Sequence, residues 1–298
     1  MKGSRKELFR GVCTALITPH REGKVDYDTF ARLIERQIEA GVRALVIGGT
    51  TAEAATLSDG ERYRLFELSR EVAGGRCTLI FGTGTNDTRI AIRHTEVAEK
   101  IGCDGVLLVT PYYNKGTRRG VYEHYVSLAK CTNLPIILYN VPSRTGVNLA
   151  LDTVGKLSEL ENVVGIKEAS GDMARLEALS KMKGLALYSG NDADTLPVMK
   201  LGGSGVISVV SNLYPRAMVK MLESWDAGDC DAAVGISDRL SPIINALFLE
   251  TNPAPLKYAM SRLGLCTGEM RLPMAEVEDS TKRELDAAMR EAEGVLWE

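Results

Sequence analysis

Short, uninterrupted apolar runs recur along the chain, and most are followed by a stretch whose apolar residues return every third or fourth position. The runs occupy 12–17, 44–47, 78–81, 105–109, 135–139, 163–167, 185–189 and 205–209. They are continuous rather than alternating, the pattern of parallel strands buried on both faces. Helix signals lie between them. Ser58-Asp59-Gly60-Glu61 has capping-box spacing, and Asp28 precedes a stripe of Phe30, Leu33, Ile34 and Ile38. Gly41, Gly74, Gly102 and Gly202 close helical stretches. Eight strand–helix units in about 225 residues predict an α/β fold, a (β/α)8 TIM barrel, with a doubly wound sheet as the alternative. From about Asp229 the strand pattern stops, and 232–247, 255–263 and 280–292 read as helices. We expect a barrel over 1–228 and a C-terminal helical appendage over 229–298, packed on the barrel or on a neighbouring subunit.

Composition narrows the function classes. The chain has 298 residues, 45% of them hydrophobic and 25% charged, which excludes a disordered or collagen-like chain. No apolar run approaches the roughly 20 residues that span a bilayer, and MKGSRKELFRG lacks the apolar middle of a signal peptide. A cytoplasmic protein without membrane partners is the expectation. The net charge of -3 comes from interspersed acids and bases, so small molecules are expected as partners rather than nucleic acid. The six cysteines form no C-x-x-C pair and read as reduced, buried small hydrophobes. His20, His94 and His124 lack ligand spacing, which disfavours a metal site.

In such a barrel, chemistry belongs where strands end. Those positions hold Gly48-Gly49-Thr50-Thr51, Thr110-Pro111-Tyr112-Tyr113-Asn114, Tyr139-Asn140-Val141-Pro142-Ser143-Arg144 and Lys167-Glu168. Lys167 stands out because it closes an apolar strand. An amine withheld from water favours its neutral form, the nucleophile that attacks a ketone and forms a Schiff base. The ordinary alternative is a lysine that snorkels to water or pairs with a carboxylate. Tyr139, Thr50 and Tyr113 are hydroxyls that could relay protons; each also has a plain reading as a core aromatic, a turn residue and a rim residue. The Gly48–Thr51 stretch suits a carboxylate better than a triphosphate, since it has no Walker lysine. Gly82-Thr83-Gly84-Thr85-Asn86 lacks the third glycine of a dinucleotide fingerprint and reads as a turn plus helix cap. Arg144 could grip a second carboxylate in two places, or could be a surface arginine.

Taken together, GTTAE (49–53), TPYYN (110–114), YNVPSRTG (139–146) and GIKEA (165–169) resemble the signature of the dihydrodipicolinate synthase family. That family belongs to the pyruvate-dependent class I aldolases, which include N-acetylneuraminate lyase. The resemblance runs from Gly11 to the RLPM segment at 271–274. It implies that Lys167 forms the Schiff base with pyruvate and that Tyr139 donates and accepts protons. Thr50 and Tyr113 complete the relay, with Tyr113 entering from the adjacent subunit of a tight dimer. Thr51, Gly190 and the backbone around Ile207 are implied to hold pyruvate, and Arg144 the carboxylate of L-aspartate 4-semialdehyde. The product enters lysine and diaminopimelate synthesis, no cofactor is needed, and the assembly is a homotetramer built as a dimer of dimers. The alternatives are an aldolase acting on a sugar acid, a 2-keto-3-deoxy acid or N-acetylneuraminate, and a non-catalytic barrel.

Two departures from the family pattern stand out. Ala52 replaces the glycine of GTTGE, and would be strained by about 1 kcal/mol if its φ were positive. The positions of the lysine effector pocket are occupied by Asp59, Arg62 and Ile90, with Asn86 and Tyr112 as remnants. Without a glutamate for the effector's ammonium, weak or absent lysine inhibition is expected.

Overall fold

The computed structural model describes residues 7–292. The strands are β1 (Gly11–Ala15), β2 (His20–Arg21), β3 (Lys24–Val25), β4 (Ala44–Ile47), β5 (Thr78–Gly82), β6 (Gly105–Val109), β7 (Ile136–Asn140), β8 (Val163–Glu168), β9 (Ala186–Ser189) and β10 (Gly205–Ser208). Eight of them close into a barrel in the order β1-β10-β9-β8-β7-β6-β5-β4, while β2 and β3 form a separate antiparallel hairpin. Closure excludes the doubly wound sheet. Each apolar run overlaps one barrel strand with ends within two residues, because a strand covered on both faces leaves an unbroken apolar signature. The hairpin was not foreseen; two residues per strand are too few to carry a period.

The helices are α1 (Tyr27–Glu39), α2 (Asp59–Ala73), α3 (Thr88–Ile101), α4 (Arg118–Cys131), α5 (Pro142–Thr145), α6 (Leu151–Leu157), α7 (Met173–Ser180), α8 (Thr195–Lys200), α9 (Pro215–Asp226), α10 (Cys230–Ala246), α11 (Ala254–Arg262) and α12 (Asp279–Ala292). The capping box of α2 is complete: Ser58 Oγ accepts from Glu61 N, and Ser58 N donates back to the Glu61 carboxylate. The start of α1 differs from expectation. Asp26 is the cap, accepting from Thr29 N, while Asp28 lies in the first turn. In Gly82-Thr83-Gly84-Thr85-Asn86 the second glycine has a packing reason. A Cβ on Gly84 would lie 2.5 Å from Val109 N, so the backbone of β6 passes too close for any side chain.

The chain packs as two compact units. One comprises Thr78–Ile207 with residues 7–10. There Phe9 stacks on Tyr188, with ring centroids 4.3 Å apart, and the Tyr188 hydroxyl donates to Phe9 O at 2.9 Å. The other comprises Gly11–Cys77 and the chain from Ser208 onward, including α9 to α12. Its interior is tied by Asn212, which donates to Ala15 O at 2.9 Å and accepts from Ile17 N at 3.2 Å. All six cysteines are free, but only Cys13 and Cys103 are buried as expected; Cys77, Cys131 and Cys266 are half-buried and Cys230 is exposed at the start of α10. Among the described residues no helix is long and apolar enough to cross a membrane.

Candidate active site

The adjacent strands β7 and β8 run parallel with Tyr139 opposite Lys167 and Asn140 opposite Glu168. Side chains alternate along a strand, so the first pair shares one face and the second pair the other. On the first face, Lys167 Nζ sits 4.4 Å from the centroid of the Tyr139 ring. Lys167 is 5% exposed and Tyr139 6%. Snorkelling to water is therefore ruled out for Lys167. Among the described residues no carboxylate forms an ion pair with it, so the amine is held against a phenol ring and not consumed by a salt bridge.

The opposite face explains why these strand ends are rigid. Glu168 accepts from Asn140 Nδ2 at 2.8 Å, from Ser170 N at 2.9 Å and from Arg175 Nε at 2.7 Å. Asn140 also donates to Asn148 Oδ1 and accepts from Leu149 N, both at 2.9 Å. Glu168, Arg175 and Asn140 are all buried. This cluster joins the end of β7, the end of β8, the start of α7 and the segment before α6. Thr110 fixes the other side of β7: its amide and hydroxyl both donate to Tyr139 O, at 2.9 and 3.0 Å. The Tyr125 hydroxyl lies 3.2 Å from Thr110 Oγ1, and burial pushes its phenol upward. The motifs TPYYN, YNVP and GIKEA thus each contain one reactive candidate and one residue that braces a strand end, with Thr110 of the first holding Tyr139 of the second. Sequence reasoning singled out the first and missed Thr110, Asn140 and Glu168 in the second role, although each lies within one residue of a candidate or within its motif.

Gly190 follows β9, and its amide donates to Glu168 O at 2.7 Å. An added Cβ would stand 2.6 Å from Ala169 Cβ, so only glycine permits this approach. With its amide engaged, Gly190 could offer a substrate only its carbonyl. Ile207 is buried in β10, which pairs with β9. Tyr113 and Arg144 lie at the surface. Tyr113 is 88% exposed at φ 71, on a loop held by Asn114 Nδ2 donating to Asn86 O at 2.9 Å. Arg144 is exposed at the end of the single-turn α5.

Thr50 and Thr51 belong to the turn after β4, in the second unit. Gly48 enters it at φ +70, where a Cβ would press on the Phe66 ring at 3.0 Å. Ala52 N donates to Gly49 O and Glu53 N to Thr50 O, each at 3.1 Å, so those amides are spent inside the turn. The expected strain at Ala52 is absent. The left-handed residue is Glu53, at φ 55, and Ala52 completes a 3-10 turn that any L residue can adopt. Thr51 Oγ1 accepts from Asn252 Nδ2 at 3.0 Å. Glu53 forms a buried ion pair with Lys257 and accepts from Arg271 N at 3.2 Å. Arg62 is buried, donating to Ala54 O at 2.7 Å, so it supports this loop. Ile90, on α3, is 37% exposed. Among the described residues no group of His, Cys, Asp and Glu could hold a metal ion.

Comparison with known proteins shows the family. The model of the dihydrodipicolinate synthetase family matches residues 8–292. The 4-hydroxy-tetrahydrodipicolinate synthase of Endomicrobium trichonymphae is 44% identical over 95% of this chain and 98% of its own length. That of Thermotoga neapolitana is 43% identical over 96% of this chain and 99% of its own. Among solved structures, dihydrodipicolinate synthase from Thermotoga maritima superposes with a TM-score of 0.94 at 39% identity, covering 96% of this chain and 99% of that one. A monomeric dihydrodipicolinate synthase variant gives a TM-score of 0.94 at 40% identity, covering 96% of this chain and 97% of that one. With a (β/α)8 barrel, a buried lysine at the end of its β8 strand and similarity along nearly the whole chain, the protein belongs to the dihydrodipicolinate synthetase family.

Proposed function

We propose that this chain condenses pyruvate with L-aspartate 4-semialdehyde to 4-hydroxy-tetrahydrodipicolinate, a step of lysine and diaminopimelate synthesis in the cytoplasm. The observation that carries the reading is the buried Lys167 amine, 4.4 Å from the Tyr139 ring and outside any ion pair among the described residues. Lys167 Nζ attacks C2 of pyruvate, and the carbinolamine loses water to give an iminium. Loss of a C3 proton yields the enamine, whose carbon bonds to the aldehyde carbon of the semialdehyde. The amino group of that substrate then adds to C2 and displaces Lys167, closing the ring. Each step moves a proton, and the Tyr139 hydroxyl is the carrier, relayed through Thr50 and Tyr113. The iminium formed on Lys167 serves as the electron sink, so the chemistry calls for no cofactor.

Thr51, Gly190 and the backbone around Ile207 hold pyruvate in this reading, and Arg144 grips the semialdehyde carboxylate with a bidentate guanidinium. The exposed, left-handed Tyr113 supports service to a neighbouring subunit, since a phenol 88% exposed has no packing role in its own chain. We propose a homotetramer built as a dimer of dimers, the assembly that the family resemblance implies. The barrel of 1–228 carries the chemistry, and the helical region of 229–298 supports it.

The test is pyruvate consumption with the semialdehyde, run beside N-acetylmannosamine and glyceraldehyde, with Lys167→Ala as the blank. Turnover confined to the semialdehyde and lost in the variant is expected, together with a borohydride-trapped pyruvate adduct on Lys167. Turnover only with a sugar aldehyde would keep the Schiff base but assign the protein to the lyase branch. Unchanged turnover in Lys167→Ala would refute both.

A further inference from the structure

The turn after β4 is secured by residues some 200 positions later in the chain. Asn252 and Thr51 are both buried, and the Asn252 amide donates to Thr51 Oγ1 at 3.0 Å. A hydroxyl has one hydrogen to donate and two lone pairs to accept with. An N–H arriving at the oxygen occupies a lone pair and leaves the hydroxyl hydrogen to be given elsewhere.

The turn has little freedom to move away from this contact. Glu53, which ends it in a left-handed conformation, has its carboxylate held by Lys257 and by Arg271 N. Lys257 is fully buried, pairs with Glu53 and makes hydrogen bonds with His20 Nδ1 at 3.0 Å and Glu269 O at 2.8 Å. Burial, with Lys257 adding to it, lowers His20 to about 4, which leaves a neutral ring able to accept at Nδ1. The Arg271 guanidinium donates to Thr56 O at 3.0 Å and to Glu61, extending the hold to the far end of the loop. A buried lysine held by three such partners leaves the turn little room to shift.

We propose that Asn252 is a positioning residue: by donating to Thr51 Oγ1 it aims the Thr51 hydroxyl hydrogen at the carboxylate of pyruvate, in a loop that Lys257 immobilises. This rests on the functional reading above, in which Thr51 binds that carboxylate. It assigns to the C-terminal helical region part of the substrate's recognition. Asn252 touches no substrate and acts only through Thr51.

The experiment measures borohydride trapping of pyruvate on the full-length protein as a function of pyruvate concentration. In Asn252→Asp the new carboxylate draws the Thr51 hydrogen to itself and adds negative charge. Half-saturating pyruvate should rise about tenfold, with the plateau and kcat at saturating pyruvate within about twofold of the parent. Asn252→Ala, which introduces no charge, should shift the same way by less. Thr51→Val should shift like Asn252→Asp, and the double variant no further, because both remove one interaction. Unchanged half-saturation in the Asn252 variants, effects that multiply in the double variant, or failure of both Asn252 variants to fold would overturn the inference alone. No adduct in the parent protein, or parental half-saturation in Thr51→Val, would overturn the functional reading and the inference with it.

Discussion

Replacing Arg175 with methionine tests whether the cluster behind the Lys167 strand is what holds that strand end. Arg175 Nε donates to Glu168 at 2.7 Å, and both side chains are almost wholly buried. Removing one partner of a buried ion pair costs about 3–5 kcal/mol, because the remaining charge is left uncompensated. Glu168 would retain Asn140 Nδ2 and Ser170 N as donors, which places the loss near the lower bound, about 3 kcal/mol. For a chain of this size that lowers Tm by roughly 6 °C, read by calorimetry. Glu168 follows Lys167 directly on β8, so the same variant should displace the amine relative to Tyr139 and reduce kcat more than about tenfold. Pairing Arg175→Met with Glu168→Gln removes both charges and should restore about half of the lost stability. A single variant melting within about 2 °C of the parent, or a double variant less stable than the single, would show that the cluster does not bear on this strand end.

Acid should destabilise the fold through its buried imidazoles. Burial lowers both His20 and His124 to about 4 from an ordinary 6.5. Between those values the unfolded chain binds protons that the folded chain refuses, so stability falls as pH drops from 6.5 towards 4. Near pH 5 each histidine should remove about 2 kcal/mol relative to pH 7, visible as a lower urea midpoint; an unchanged midpoint would contradict it. Glu61, held at about 2 by its hydrogen bond with Arg271, adds a further loss as pH falls below 4.5 towards 2. Lysine inhibition should be weak or absent, since Ile90 offers the effector's ammonium only hydrocarbon. Half-inhibition at sub-millimolar lysine would refute that.

Much of the architecture was present in local pattern. The eight barrel strands, the α2 capping box and helices α10 to α12 depend on period and near-neighbour chemistry, which a linear reading samples directly. Lys167 was legible because a lysine closing an apolar strand is chemically out of place. Where two local solutions compete, such a reading loses resolution: Asp26 and Asp28 both precede the α1 stripe, and only the backbone path selects Asp26 as the cap. The same holds for GTTAE, where the left-handed conformation falls on Glu53 and Ala52 is unstrained.

Tertiary structure alone decided the rest. Tyr139 stands opposite Lys167 through the register of β7 and β8, which shifts between Ile136 and Ile137 and so could not be counted along the chain. Glu168 found its partners in Arg175 and Asn140, and Thr51 its partner in Asn252, 201 positions away. Sequence period tells which face of an element is buried, and strand-end position tells which polar groups are available. Which of those groups meet is set by register and chain closure, quantities that arise only when distant segments pack together.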